Sequence, residues 1–124
     1  MIKKVFVTGS TGCIGSYFLE YLLENKTLEL HLLVRDIAKN ILQPIKSHPR
    51  VFLHEGIMED IEKHEAVVKE CTYIVHIATN WSDSENATYI NVEKTKSLFL
   101  MADLSKLERI VYFSTASILG KKNK

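Results

Sequence analysis

Three glycines at positions 9, 12 and 15 have a type and spacing that could form a ligand-binding turn. They lie between an apolar, β-branched stretch at residues 3–8 and a stretch with helical spacing at residues 14–24. In such a strand-turn-helix unit, the first glycine permits a tight turn, the second lets backbone approach a pyrophosphate, and the third lets helix and strand pack closely. The helix N-terminus adds free N–H groups and a partial positive charge. The residues predicted to bind a dinucleotide pyrophosphate are Gly9, Ser10, Thr11, Gly12, Cys13, Ile14 and Gly15; a plain strand-to-helix connection is the alternative.

A positively charged side chain follows the next predicted strand, where dinucleotide sites distinguish the two nicotinamide cofactors. An acidic residue about 20 residues beyond the glycines bonds the ribose 2′-hydroxyl of NAD, whereas an arginine accommodates the 2′-phosphate of NADP. Arg35 occupies this place, and Lys39 adds a second positive charge. The pattern therefore favours NADP(H) over NAD(H). Two alternatives stay open: Asp36 could turn its carboxylate to the ribose of NAD, and Arg35 and Lys39 could be ordinary surface charges.

The elements that must position these residues alternate along the chain as short β-rich runs and longer amphipathic runs. Asp60 is the predicted N-cap of the third helix. Alternation of this kind builds right-handed β-α-β units and a parallel sheet. We therefore predict an α/β fold of the Rossmann type, a doubly wound parallel sheet with strand order 3-2-1-4-5 and helices on both faces. The predicted strands are 3–8, 28–35, 50–56, 72–79 and 108–117, and the predicted helices are 14–24, 36–47, 61–70 and 84–106, the last with Ile90, Leu98, Phe99 and Ala102 facing inward.

Composition and charge exclude several classes of function. The 124 residues suit one domain, and 46% hydrophobic with 25% charged residues is typical of a folded soluble chain. A net charge of +1 gives no electrostatic footprint for nucleic acid or an anionic membrane, and no apolar run has membrane-spanning length. Cys13 and Cys71 have neither a CxxC spacing nor a secreted context, which predicts no disulfide and a reducing compartment. Because the N-terminal apolar stretch is too short for a signal peptide, we expect a cytoplasmic location. The five histidines lack metal-ligand spacing, so we predict no metal; His76, in an apolar strand, is more typical of a satisfied core histidine than of an acid or base.

The glycine segment TGSTGCIG, residues 8–15, resembles the TGxxGxxG fingerprint of the extended short-chain dehydrogenase/reductases, a family that includes NAD-dependent epimerases and dehydratases. The segment LLVRDIAK, residues 32–39, resembles the VRD strand end of dihydroflavonol-reductase-like members, which use NADP. The resemblance covers essentially the whole chain, but only the N-terminal part of the family's fold. It implies an oxidoreductase acting on a carbonyl/alcohol or nucleotide-sugar substrate.

The segment after the third strand departs from this family. Relatives commonly have a glycine, an aspartate that bonds the adenine amino group, and an aliphatic residue, whereas Gly56 is followed here by Ile57 and Met58. We therefore expect adenine to be held by backbone groups around Met58 and by apolar contact. Cys13 also departs, because the family usually has an aromatic residue there, and its thiol is expected to pack rather than react.

Two later segments resemble the family more closely. HIATN, residues 76–80, is similar to the segment after the fourth strand, where small residues let backbone approach the cofactor ribose; Ala78 and Thr79 are the matching positions. NVEKT, residues 91–95, is similar to the helix segment NVxGT, with Lys94 in place of the glycine. The resemblance implies that Asn91 braces the neighbouring strand ends rather than touching substrate.

The segment FSTASILG, residues 113–120, is similar to the family's catalytic serine/threonine stretch, and alignment on its final glycine puts Thr115 at the catalytic position. A hydroxyl at the carboxyl end of a parallel strand is placed to hydrogen-bond a substrate carbonyl. The alternative is that Ser114 and Thr115 merely cap the strand. The family's proton donor is a tyrosine four residues before a lysine, and none of the five tyrosines has a lysine at that distance.

Residues 1–124 are therefore expected to form one NAD(P)-binding Rossmann domain, truncated before the YxxxK helix and the substrate domain. We expect the chain to bind NADP(H) and not to turn over alone, while the full-length parent acts on a small-molecule substrate. A non-catalytic dinucleotide-binding module that senses redox state and a fold without ligand are the alternatives. The fifth strand would leave an open sheet edge, which makes a homo-oligomer or aggregation the possible outcomes there.

Overall fold

The computed structural model describes residues 2–10, 13–38, 42–77 and 90–113. Its elements, in chain order, are β1 (Lys3–Thr8), α1 (Cys13–Glu24), β2 (Leu28–Val34), β3 (Val51–Glu55), a 3₁₀ helix (Met58–His64), α2 (Glu65–Lys69), β4 (Tyr73–His76), a π-turn (Ile90–Lys94), α3 (Thr95–Leu100) and β5 (Arg109–Tyr112). The five strands form one sheet in the order β3-β2-β1-β4-β5, and each neighbouring pair is parallel. The predicted doubly wound parallel sheet and its strand order are confirmed.

The central strand β1 feeds two cores because successive side chains of a strand point to opposite faces of the sheet. Val5 and Val7 lie in a core with Leu19 and Leu22 of α1. Phe6 points to the other face, where the second core contains residues of the 3₁₀ helix, α2 and α3, namely Met58, Ile61, Val68 and Leu98. An apolar run without alternation, VFV in this strand, is what burial on both faces requires.

The predicted helix over residues 36–47 is wrong for the part of this connection that the structure describes. Residues 37–38 and 43–47 form turns. The Asp36 carboxylate accepts a hydrogen bond of 2.9 Å from the Ala38 N–H, which ends the strand in a local turn. Around Pro44 one helical turn forms, with the Lys46 N–H bonded to the Leu42 carbonyl at 2.8 Å, and the His48 N–H then bonds the Ile45 carbonyl, three residues back, at 3.0 Å.

Asp60 is not the N-cap of a helix over 61–70, so that prediction is also wrong. A 3₁₀ segment begins earlier, at Met58, and Asp60 lies at a kink within it, with a non-helical φ of −112° and ψ of 28°. Met58 and Ile61, on either side of this kink, are both buried. The α-helix α2 begins only at Glu65, with His64 as its N-cap.

The predicted helix over 84–106 ends earlier than expected. Its described part is the π-turn and α3, and α3 ends at Leu100. The Asp103 carboxylate accepts hydrogen bonds from the Ser105 N–H at 2.9 Å and the Ser105 hydroxyl at 2.7 Å, and such local bonds compete with helix continuation. Leu98 is fully buried, and Phe99 and Ala102 are partly buried, as predicted.

Candidate functional site

The turn between β1 and α1 is built around a contact between two glycines. Gly9 has a φ of 73°, a backbone conformation that L side chains rarely adopt. Gly15 packs so closely on this turn that a Cβ atom there would overlap the Gly9 carbonyl oxygen and lie 2.8 Å from the Ser10 Cα. Both positions therefore require glycine, and the start of α1 is held directly against the end of β1.

The same turn contains a buried hydroxyl. Ser10 is 1% exposed, and its Oγ has no hydrogen-bond partner within the described part of the chain. An unpaired buried hydroxyl is costly unless something satisfies it. Together with the N–H groups at the start of α1, it gives this turn the donor set that suits an anionic group such as a pyrophosphate. The predicted binding residues Thr11 and Gly12, and the side chains of Cys13 and Ile14, lie outside the described residues.

Arg35 follows β2 at the same edge of the sheet, the carboxyl edge of the strands. Its side chain is exposed. The neighbouring Asp36 carboxylate is engaged by the Ala38 N–H, in the turn described above. Lys39, predicted to add a second positive charge, lies outside the described residues.

The segment after β3 holds its polar backbone close to the sheet. The Gly56 N–H donates to the Val34 carbonyl at 2.8 Å, and a Cβ on Gly56 would crowd the His64 ring. Ile57 is extended and half-buried. Met58 is only 9% exposed and packs in the second core. Its side chain therefore stabilises the core, so a contact with adenine would involve mainly its backbone and Ile57.

His76, the last residue of β4, is a satisfied core histidine, as the sequence analysis expected. It is 1% exposed, and both ring nitrogens are hydrogen-bonded: Nδ1 lies 2.7 Å from the Thr8 Oγ1, and Nε2 lies 2.9 Å from the Thr95 Oγ1. Burial lowers the pKa of the ring from 6.5 to about 4 because it disfavours the charged form. The ring is therefore neutral at physiological pH.

The bonds that His76 makes were missed from the sequence. Thr8 and His76 are 68 residues apart, and His76 and Thr95 are 19 apart. No spacing rule links such positions, although the β1–β4 pairing places Thr8 opposite His76. The π-turn that precedes Thr95 carries Asn91, which is half-buried.

A second histidine group lies on β2 and β3. His31 Nε2 is 2.8 Å from the Glu29 Oε1, and His31 Nδ1 is 2.9 Å from the His54 Nε2. Among residues 2–10, 13–38, 42–77 and 90–113, no group of three or more histidine, cysteine, aspartate or glutamate side chains could hold a metal ion. Over the same ranges, no helix has the length and apolar character needed to cross a membrane.

Several predicted site residues meet at one edge of the sheet. Gly9, Ser10 and Arg35 lie at the carboxyl ends of β1 and β2, and Ile57 follows the carboxyl end of β3. Ligands of open α/β sheets bind in the crevice outside these ends. Ala78 and Thr79, which follow β4, and the predicted catalytic Thr115, which follows β5, lie outside the described residues.

The chain is similar to known proteins in both sequence and structure. The profile of the NAD dependent epimerase/dehydratase family matches residues 5–124. The low-salt glycan biosynthesis protein Agl12 of Haloferax volcanii is 29% identical over 126 residues, which cover 94% of this chain and 41% of that protein.

Two solved structures illustrate the similarity in fold. The Bordetella bronchiseptica enzyme WbmH, in complex with NAD+, superposes with a TM-score of 0.78 at 26% identity, covering 98% of this chain and 42% of WbmH. The yeast methylglyoxal/isovaleraldehyde reductase Gre2, complexed with NADPH, gives a TM-score of 0.74 at 20% identity, covering 92% of this chain and 37% of Gre2. The chain thus spans about two fifths of the length of the proteins it matches.

Proposed function

Because the chain belongs to the NAD dependent epimerase/dehydratase family, we propose that it binds a nicotinamide dinucleotide, with the pyrophosphate on the turn between β1 and α1. The observation that carries the proposal is the packing of Gly15 against Gly9, which brings the start of the helix to the end of the strand. The buried Ser10 hydroxyl, which has no hydrogen-bond partner among the described residues, adds a donor at the same turn. The NAD+ complex of WbmH supports a cofactor of this class.

We further propose that the preferred cofactor is NADP(H), selected by Arg35. The guanidinium follows β2, where the adenine-side ribose of a dinucleotide would lie, and it is exposed to solvent. The competing interpretation requires the Asp36 carboxylate to reach the ribose of NAD. That carboxylate accepts the Ala38 N–H at 2.9 Å, so it would first have to give up this bond. Lys39 is proposed to add charge beside the 2′-phosphate.

The remaining predicted contacts follow the other strand ends. We propose that backbone around Ile57 and Met58 holds the adenine, since the Met58 side chain is buried in the core. Ala78 and Thr79 are proposed to lie against the ribose, because they follow β4, the neighbour of β1. These contacts would leave the nicotinamide end of the cofactor near β5.

For the complete protein we propose oxidation or reduction of a carbonyl/alcohol pair, on a small-molecule or nucleotide-sugar substrate. The nicotinamide ring, when bound, supplies or accepts the hydride. Thr115 is the residue of this chain that would hydrogen-bond the substrate oxygen, because it follows β5 at the carboxyl edge of the sheet. That bond would orient the reacting carbonyl and stabilise charge that develops on its oxygen.

The test is calorimetric titration of the chain with NADPH and, separately, with NADH. We expect tighter binding of NADPH. In Arg35→Ala the affinity for NADPH should fall about tenfold, because a charge-assisted bond to the 2′-phosphate is lost, while the affinity for NADH should stay nearly unchanged. If Arg35→Ala loses the preference for NADPH over NADH, that preference is assigned to Arg35.

Arg109→Ala is the matched control. Arg109 is also an exposed arginine, but it begins β5 at the opposite edge of the sheet, so its removal changes net charge equally without touching the site. The control should bind both cofactors as the unchanged chain does. Heat signals absent for both cofactors would refute dinucleotide binding, and tighter binding of NADH would refute the NADP(H) assignment.

A further inference from the structure

A buried chain of hydrogen-bonded polar groups runs from β1 through β4 to α3, next to the candidate site. It joins Thr8 at the end of β1, His76 at the end of β4 and Thr95 at the start of α3. All three residues are buried. Three separate elements are thus linked through one imidazole, at the edge where the site residues meet.

The Thr8 hydroxyl extends the pairing of β1 and β4 beyond its last backbone pair. Thr8 and His76 are the final partners in that ladder. The next residue, Ile77, donates its N–H to the Thr8 Oγ1 at 3.0 Å. The side chain therefore holds both chain exits together: the exit into the glycine turn at Gly9, and the exit from β4 towards residues 78–79.

The ring that completes this link has little freedom. It stacks on Tyr112 of β5 with ring centroids 5.3 Å apart and an interplanar angle of 19°, and Phe99 of α3 meets it edge-on at 6.0 Å. A neutral imidazole has one N–H and one bare nitrogen, so one threonine hydroxyl donates to the ring and the other accepts from it. Both bonds thus fix the ring between β1 and α3.

Within the described part of the chain, the groups that face the ring are Thr8 from β1, Tyr112 from β5, and Thr95 and Phe99 from α3. Tyr112 is the one titratable group among these four. Burial accounts for the lowered pKa of the ring. A protonated ring would present two N–H donors, so both threonine hydroxyls would have to accept from it, and the Thr8 oxygen would do so beside the Ile77 N–H that it already accepts.

We propose that His76 is a positioning residue for the dinucleotide site: through Thr8 it sets the backbone of the glycine turn, and through Thr95 it locks that turn to the helix after β4. The inference rests on the proposed function, because it concerns affinity for the same cofactor. His76 touches neither cofactor nor substrate in this role. Its contribution is to hold the three segments that surround the cofactor in one arrangement, so that binding does not have to order them.

The test compares variants that keep or break the link at Thr95. Thr95→Val keeps the shape of the side chain but removes the hydroxyl, and the dissociation constant for NADPH should rise about fivefold, which is the scale of one lost hydrogen bond. Thr95→Ser keeps the hydroxyl and should stay within about twofold of the unchanged chain. His76→Phe, which keeps a ring beside Tyr112, should weaken binding by about tenfold or more, since both bonds are lost.

The control is Ile61→Val, which removes one methylene from a fully buried side chain of the second core. It should lower stability about as much as Thr95→Val does, yet leave NADPH affinity unchanged. Nitrogen NMR reports the protonation state of the His76 ring, which does not follow from a measurement of stability. The ring should remain neutral at about pH 6.

Three results would overturn the inference while the unchanged chain still binds NADPH. They are native affinity in Thr95→Val, an equal loss in Ile61→Val, or a His76 ring that is charged at about pH 6. If His76→Phe does not fold, the two Thr95 variants decide the question. Failure of the unchanged chain to bind either NADPH or NADH is a different result, which refutes the proposed function and this inference with it.

Discussion

His76→Phe should reduce the pH dependence of the free energy of unfolding in the acidic range. In the folded chain burial lowers the pKa of the ring from 6.5 to about 4. The unfolded chain therefore takes up the proton at a higher pH than the folded chain does, and protonation favours unfolding. The free energy of unfolding should fall as the pH drops below about 6.5, and this contribution should be exhausted below about pH 4.

The magnitude follows from the two pKa values. The complete effect corresponds to about 3 kcal/mol, of which about 2 kcal/mol is already lost at about pH 5. His54 and His64, whose pKa values are also lowered by burial, contribute in the same direction in both proteins and cancel in the comparison. Carboxylates with lowered pKa values act only at more acidic pH.

The assay is urea unfolding followed by circular dichroism at about pH 7.5 and about pH 5, for the unchanged chain and for His76→Phe. The variant will be less stable at the higher pH, because two threonine hydroxyls lose their partner. Its stability should nevertheless depend less on pH, by about 2 kcal/mol between the two conditions. Equal pH dependence in the two proteins would refute the assignment of a buried, neutral ring.

Three further predictions concern other positions. Gly15→Ala should lower stability by about 1–3 kcal/mol and weaken NADPH binding, because the new Cβ overlaps the Gly9 carbonyl oxygen; urea unfolding and calorimetry measure both, and native behaviour would contradict the close packing. Arg50→Ala should cost about 2 kcal/mol, since its guanidinium donates to three carbonyls, including the Leu28 oxygen at 2.7 Å; a change below about 0.5 kcal/mol in urea unfolding would be inconsistent with those bonds. Burial raises the pKa of the Cys71 thiol to about 12. Iodoacetamide should therefore leave the thiol unmodified in the folded chain at about pH 8 and label it in urea, as measured by peptide mass spectrometry. Rapid labelling without denaturant would argue against that burial.

The sheet was predictable because each strand carries its own signal. The run VFV in β1 and the run LLV in β2 are apolar without alternation, which indicates burial on both faces. Gly9 was predicted to permit a tight turn and Gly15 to let helix and strand pack closely, and the positive φ of Gly9 and the contact of Gly15 with the Gly9 carbonyl agree with both predictions. Local chemistry and burial agreed at these positions, so pattern alone was enough.

The predicted helix boundaries were wrong where two local preferences competed. Asp60 is a good N-cap by type, yet a 3₁₀ segment begins before it, at Met58, and Asp60 lies at a kink between the buried Met58 and Ile61. Asp103 bonds Ser105 instead of allowing the fourth helix to continue. These outcomes depend on which hydrogen bonds or apolar contacts are stronger in the folded chain, and residue spacing does not contain that information.

The candidate site was only partly predictable for a different reason. Arg35 and the glycines were predicted as site residues because known dinucleotide sites place such residues after the first two strands. The bonds of His76 with Thr8 and Thr95 depend on the distance between side chains that are far apart in sequence. Each of these residues alone is an ordinary core position, so their common role is visible only in three dimensions.

The pairing of β1 sets the order in which the chain can fold. This strand lies at the centre of the sheet, and its partner β4 is reached only when residues 68 positions apart, such as Thr8 and His76, meet. Lys3 likewise bonds Glu108, 105 residues away. Closing such long loops lowers the entropy of the chain before any stabilising contact forms, which slows folding in proteins with high contact order. The N-terminal segment that carries the glycine turn is therefore expected to be synthesised first yet to acquire its full set of neighbours among the last.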